Sequence, residues 1–206
     1  MTLFWVLLAY VLGSFPTGLV VVRLVRGVDV RTVGSGNIGA ANVSRAAGKG
    51  WATLVAVVDM LKGGVAVILA RLSGITDPWI LSSVGFAGVC GHNFSCWLRF
   101  RGGKGVATSF GVLACLEIAT FPWGSLSWLA PPLGGVVWFG TVRATGYAAV
   151  ASLLALGVQA PLLLLLGAPG PHAIFALALT LLAVVRHREN LRRLLAGTEN
   201  RVGKKG

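Results

Sequence analysis

Residues 91–108 read Gly91-His92-Asn93-Phe94-Ser95-Cys96-Trp97-Leu98-Arg99-Phe100-Arg101-Gly102-Gly103-Lys104-Gly105-Val106-Ala107-Thr108. The first four close one apolar segment. Arg99, Arg101 and Lys104 follow within a few residues, and 102–105 lead into the next apolar segment. A short basic turn between two long apolar runs is the pattern of a chain that leaves a bilayer and re-enters it. The same turn suits a phosphate-sized anion. Glycines free backbone N–H groups to face a ligand, the cations add charge, and a helix start adds the positive end of its dipole. At a membrane surface the fitting ligand is a phosphate-bearing lipid precursor.

The pattern repeats along the chain. Apolar runs fall at about 3–22, 51–70, 79–98, 106–123, 127–142, 147–166 and 172–185, most of them near the roughly 20 residues a bilayer requires. The fifth and seventh are shorter, and Pro131 and Pro132 are expected to kink the fifth. The expectation is an all-α polytopic membrane protein with seven transmembrane helices, forming one membrane-embedded domain over 1–206. Composition agrees. Of the 206 residues, 55% are hydrophobic and 12% charged, against about 25% charged in a soluble domain. The mean hydropathy is +0.81. The 29 glycines suit close helix packing in lipid.

Charge sets the orientation. With the N-terminus outside, the cytoplasmic segments are about 23–50, 99–105, 143–146 and 186–206, and they hold 16 of the 18 Lys and Arg residues. Only Arg71 falls outside, and Lys62 lies within a span. That one-sidedness places the C-terminus in the cytoplasm and supports an odd number of spans. The first apolar run has no cation before it, so it reads as a transmembrane helix rather than a signal peptide. The net charge of +12 belongs to short clusters between spans. It therefore points to anionic headgroups and a phosphate-bearing substrate rather than to nucleic acid. Cys90, Cys96 and Cys115 lie in or beside apolar runs with no metal spacing, and read as small packing residues.

Two further polar segments stand out. Gly34-Ser35-Gly36-Asn37-Ile38-Gly39 matches the dinucleotide pattern in form, and Asp59 lies twenty residues beyond Gly39. No strand–helix–strand unit fits here, however, and Asp59 falls in an apolar run. What survives is a Gly-rich turn whose N–H groups, with Ser35, Asn37 and Arg45, grip an anion. The other segment is Arg186-His187-Arg188-Glu189-Asn190, with Arg192, Arg193 and Glu199 after it. A basic cap after the last span explains its arginines but not His187 and Asn190, which share a helix face. The 102–105 turn is not an ATP loop. That pattern needs Gly five places before Gly103 and Ser or Thr after Lys104, where Leu98 and Gly105 stand. His92 is a candidate proton acceptor. The His-to-Asp motif of thioester-dependent acyltransferases is broken, because Trp97 stands where the Asp would be. Asp59 and Lys62 are spaced for an ion pair within a span, and Glu117 has no local partner, with Lys62 as a candidate.

Taken together the three segments resemble the bacterial acyl-phosphate:glycerol-3-phosphate acyltransferases. The resemblance rests on 34–42 with Arg45, on 91–94 and 100–108, and on 187–190, 193–194 and 197–199; 13–16 and 59–63 add to it. It implies an enzyme of the bacterial plasma (inner) membrane with its active site on the cytoplasmic face. The enzyme would move a fatty acyl group from acyl phosphate to the 1-hydroxyl of glycerol 3-phosphate, the first membrane step of phospholipid synthesis. A separate soluble enzyme that makes the acyl phosphate is an implied partner, and no metal or nucleotide cofactor is implied. The donor is already activated, so positioning and charge stabilisation do the work. The expected catalytic residues are Ser35, Asn37, His92 and Lys104. Substrate contacts are expected from Gly34, Ser35, Asn37, Asn42, Arg45, Gly102, Gly103, Lys104, Gly105, His187 and Asn190. In particular, Ser35, Arg45, Lys104, His187 and Asn190 would hold glycerol 3-phosphate, while the 102–105 N–H groups and Asn37 hold the acyl-phosphate head. The hydroxyl proton would pass to His92 or to a substrate phosphate oxygen, the latter being favoured. The competing reading is a small organic-anion transporter or channel, which predicts polar residues running across the membrane rather than gathered on one side.

Overall fold

The structure is a computed structural model that describes residues 1–120 and 125–202. Among these the chain forms α-helices, short 3-10 turns and loops, with no strand. The helices are α1 (Thr2–Ser14), α2 (Thr17–Arg26), α3 (Ala40–Ala47), α4 (Lys49–Leu72), α5 (Pro78–Asn93) and α6 (Val106–Thr120). They continue as α7 (Ala130–Thr145), α8 (Ala148–Gly157), α9 (Gln159–Leu165), α10 (Gly170–Arg186) and α11 (Arg188–Leu195).

Every expected span has a helix at its centre, but the boundaries move for local reasons. The first run breaks between α1 and α2, because Pro16 disfavours helical backbone at Phe15 before it. The third run stops at Asn93 instead of 98, where the chain turns through a 3-10 segment at Cys96–Leu98. Pro131 and Pro132 do not kink the fifth helix. They sit in its first turn, where a missing N–H costs nothing, and α7 runs later than expected. The end of the fourth run (121–123) and Lys204 and Lys205 of the basic tail lie outside the described residues.

Three helical stretches are long and apolar enough to cross a bilayer: Thr2–Arg26, Lys49–Leu72 and Ala148–Leu165. Gly170–Arg186 with Arg188–Leu195, bent by 57°, makes a fourth if the pair is one span. The single helices α5, α6 and α7 have 15 or 16 residues, which is about 23 Å at the standard rise against a hydrocarbon core of roughly 30 Å.

Glycines decide how the bundle packs. A Cβ on Gly13 would strike the Gly88 carbonyl, and one on Gly91 the Tyr10 carbonyl, so α1 and α5 meet backbone to backbone. Gly64 and Gly111 do the same for α4 and α6. The core between them includes Val67, Leu81, Val84, Val112, Leu113, Leu116 and Leu179, all buried. Outward faces stay apolar, with Leu3, Phe4, Leu7, Ile118, Phe139 and Leu181 exposed. That inversion of the soluble pattern suits a lipid surround.

Two buried polar clusters resolve the charges left over from the sequence. Lys62 pairs with Asp59 at 2.7 Å and donates to the Phe15 carbonyl at 2.6 Å. Lys62 is not the partner of Glu117. That carboxylate pairs with His172 Nδ1 at 2.7 Å and accepts a hydrogen bond from Ser127 Oγ. Both clusters are needed because an unpaired charge in an apolar interior is costly.

Candidate active site

At the end of the bundle where α5 finishes and α6 begins, the three polar segments converge on one cavity of about 460 Å³. Its wall is made by Ser35, Asn37, Phe94, Lys104, Val185, Arg186, Arg188, Glu189, Asn190 and Arg193. Segments far apart in sequence meet directly: Lys104 Nζ lies 2.5 Å from Asn190 Oδ1. Asn190 Nδ2 in turn donates to Glu199 Oε1 at 2.6 Å, and Arg193 Nε to Glu199 Oε2 at 2.7 Å. Glu199 thus fixes which way the Asn190 carboxamide points. Burial pulls the Lys104 ammonium down to about 8, with Arg193, Arg186 and Arg45 adding to the effect and Glu199 opposing it.

The family follows from the whole chain. The glycerol-3-phosphate acyltransferase family model matches residues 3–197. The chain belongs to this family. It is 47% identical over 201 residues to the glycerol-3-phosphate acyltransferase of Rubrobacter xylanophilus, covering 96% of this chain and 94% of that one. It is 47% identical over 200 residues to that of Thermus thermophilus, covering 97% and 94%. Crystal structures of PlsY, an integral membrane glycerol 3-phosphate acyltransferase, are similar throughout. The glycerol 3-phosphate form has a TM-score of 0.86 at 40% identity and covers 98% of this chain and 96% of that one. The lysophosphatidic acid form has a TM-score of 0.84 at 38% identity, covering 97% and 94%. This protein is therefore an integral membrane acyltransferase.

Around the cavity of this acyltransferase-family chain, the expected residues divide into those on the wall and those behind it. Ser35, Asn37, Lys104 and Asn190 line it. Asn42 does not. Its buried carboxamide accepts from the Ser35 N–H and donates to the Val30 and Val33 carbonyls, each at 2.9 Å, so it builds the 30–35 loop. Gly34 adopts φ +56°, and a Cβ there would run into the Asn42 carboxamide. Asn42→Ala leaves two carbonyls short of a partner, and we expect it to destabilise the fold by about 1–3 kcal/mol, read as a lowered thermal unfolding midpoint. Asn37 Oδ1 accepts from the Gly39 N–H at 2.8 Å, ahead of α3. Arg45 lies beside Gly34 on the exposed side of α3 and is close enough to act on the Lys104 charge.

The 102–105 turn differs most from expectation. The Gly102 N–H donates to the Asn93 carbonyl at 3.1 Å and the Gly103 N–H to the His92 carbonyl at 3.0 Å. These two N–H groups are committed to the end of α5 instead of a ligand. The N–H groups of Lys104 and Gly105 have no partner among the described residues. Arg99 and Phe100, both at positive φ, turn the chain back so that these bonds form. His92 is buried behind the turn and does not line the cavity. Its Nδ1 is 3.7 Å from Asp59 Oδ1, and a Cβ on Gly103 would strike its Nε2.

His187 is also buried, with Nδ1 2.8 Å from the Ala183 carbonyl. Burial, aided by the Lys104 charge, pulls its imidazole down to about 4, so it is neutral at neutral pH. Donation from Nδ1 leaves Nε2 as an acceptor. Arg186, which in the sequence is part of a basic cap, holds the carbonyls of Gly102 and Gly103 in the turn. The only signal for it in the sequence is its place beside His187.

Proposed function

We propose that this protein transfers a fatty acyl group from acyl phosphate to the 1-hydroxyl of sn-glycerol 3-phosphate, giving lysophosphatidic acid and inorganic phosphate. The observation that carries the reading is the Lys104–Asn190 contact. It joins the turn and the C-terminal segment into one cationic wall facing Ser35 and Asn37. Two phosphate-bearing substrates repel each other, and a half-buried cavity walled by Lys104, Arg186, Arg188 and Arg193 offsets that repulsion.

In this reading the glycerol hydroxyl oxygen attacks the carbonyl carbon of acyl phosphate. The new C–O bond forms, the C–O bond to phosphate breaks, and the departing phosphate takes the hydroxyl proton. With His92 behind the turn, a substrate phosphate oxygen is the proton acceptor. Ser35, Arg45, Lys104 and Asn190 hold glycerol 3-phosphate, and His187 Nε2 accepts from one of its hydroxyls. Asn37, with the N–H groups of Lys104 and Gly105, holds the acyl-phosphate head. No side-chain nucleophile or cofactor is required, because the mixed anhydride is already activated.

The same proposal includes the chain's setting. Its residues form a single membrane-embedded unit of seven spans in a bacterial plasma (inner) membrane. The N-terminus lies outside, and the C-terminus and the cavity face the cytoplasm, as the distribution of cations supports. Acyl phosphate reaches the cavity from the soluble enzyme that makes it, and the acyl tail lies in lipid. A liposome experiment separates this from anion transport. With acyl phosphate added, label from glycerol 3-phosphate should enter an organic-soluble product. Label accumulating unmodified inside the vesicles would overturn the reading.

A further inference from the structure

Arg186 closes α10 and is half-buried against the 102–105 turn. Its Nε donates to the Gly103 carbonyl at 3.1 Å. Its Nη2 donates to the Gly102 carbonyl at 2.9 Å and to the Gly103 carbonyl at 2.8 Å. The guanidinium carbon stands 5.2 Å from the centre of the Phe94 ring, in cation–π range. Nη1 has no hydrogen-bond partner among the described residues, and Arg186 lines the cavity.

These contacts complete an account of the turn that the glycines alone leave open. The N–H groups of Gly102 and Gly103 are held by α5, and their carbonyls are held by Arg186. Carbonyl oxygens beside an anion site carry partial negative charge and would repel a phosphate. A guanidinium set over them cancels that repulsion and still has two donors left on Nη1. We propose that Arg186 is a positioning and phosphate-binding residue. It clamps the Gly102 and Gly103 carbonyls with Nε and Nη2 and offers Nη1 to the acyl-phosphate head. This rests on reading the cavity as the acyl-phosphate site. His187 follows Arg186 at the bend between α10 and α11, and Asn190 lies on α11 beyond it. Lysine cannot substitute. A point charge with three donors lacks the planar fork that spans two carbonyls and a third partner.

The test uses full-length purified protein carrying Arg186→Lys or Arg186→Gln. Steady-state kinetics would be measured separately for acyl phosphate and glycerol 3-phosphate. Thermal unfolding would be followed with and without inorganic phosphate. Both variants should raise KM for acyl phosphate about tenfold or more, the loss of a charge-assisted contact. KM for glycerol 3-phosphate should change less than about threefold, within the size of an indirect effect. Inorganic phosphate should raise the unfolding midpoint of the unaltered protein and raise that of the variants less, because the glycerol 3-phosphate side of the cavity still binds it. Arg186→Lys with unaltered KM for acyl phosphate would overturn the proposal by showing that charge alone suffices. Lowered stability with unchanged KM and an intact phosphate effect would overturn it as a purely structural role. If both variants fail to fold, Phe94→Leu removes the ring face but keeps apolar packing. It should raise KM for acyl phosphate about threefold, the worth of an exposed cation–π contact, and no rise would count against the clamp. An unaltered protein that transfers no acyl group, yet shows a phosphate effect that Arg186→Lys weakens, would overturn the acyl-phosphate reading while keeping Arg186 as a phosphate-binding clamp.

Discussion

Lys104→Ala is expected to abolish acyl transfer and leave the protein folded. The ammonium is the link between the turn and Asn190, and in the proposed reaction it holds the phosphate of glycerol 3-phosphate. Removing a preorganised charge-stabilising donor costs about 10²–10³-fold in rate, and here the loss also uncouples the cavity wall. The fold survives because no buried charge is left unpaired. Glu199 keeps Arg193 and Asn190 as partners. Purified Lys104→Ala should therefore show an unfolding midpoint close to that of the unaltered protein and less than about 1% of its kcat/KM. The pH dependence follows from the same group. Burial holds Lys104 near 8, so in the free enzyme the charged form is present below that pH and is lost above it. kcat/KM should hold up to about pH 8 and fall as pH rises further. A bound phosphate dianion favours the ammonium, so the fall in kcat should lie at higher pH than the fall in kcat/KM.

Gly103→Ala should lower kcat/KM about a hundredfold, the order of loss that a displacement near 1 Å brings to a positioned reacting group. An added Cβ would meet the Nε2 of His92, with ring carbons Cδ2 and Cε1 both at 2.9 Å. The ring has nowhere to go, because its other side faces the paired Asp59 and Lys62. The turn must shift instead, taking the backbone N–H of Lys104 and its ammonium with it and stretching the Arg186 clamp. Gly135→Ala is the matched control, since a Cβ there meets nothing within 4 Å. Equal activity in the two variants would show that the turn tolerates displacement.

The sequence carries the fold at the level of composition and apolar runs, and those features place a helix at the heart of every expected span. Helix ends are less legible, because they depend on single residues. Pro16 splits the first run, and Pro131 and Pro132 open a helix that they were expected to kink. Lipid-facing and core-facing apolar residues also look alike in sequence, so nothing in the apolar pattern announces the Gly13–Gly88 and Gly64–Gly111 contacts that set the packing.

The site divides in a similar way. Ser35, Asn37, Lys104 and Asn190 were legible because polar residues are conspicuous among apolar runs, and all four line the cavity. Which atoms they present was not legible. A glycine-rich turn invites the idea that its N–H groups face a ligand, yet two of them bond to the last turn of α5. A histidine near a phosphate turn looks like a base, yet His92 packs behind that turn against Asp59. Asn42 looks like a substrate contact, but its three hydrogen bonds are all internal. Arg186 was hidden because an arginine after the last span already has an ordinary explanation, and only the distances to Gly102 and Gly103 reveal another.

The most direct test of the central claim is donor choice in a defined system. Purified protein would be given labelled glycerol 3-phosphate and, in separate reactions, acyl phosphate, acyl-CoA or acyl carrier protein as donor. Labelled lysophosphatidic acid and released phosphate should form in equal amounts with acyl phosphate and not with the two thioesters. Transfer from a thioester, or phosphate release without labelled lipid, would contradict it.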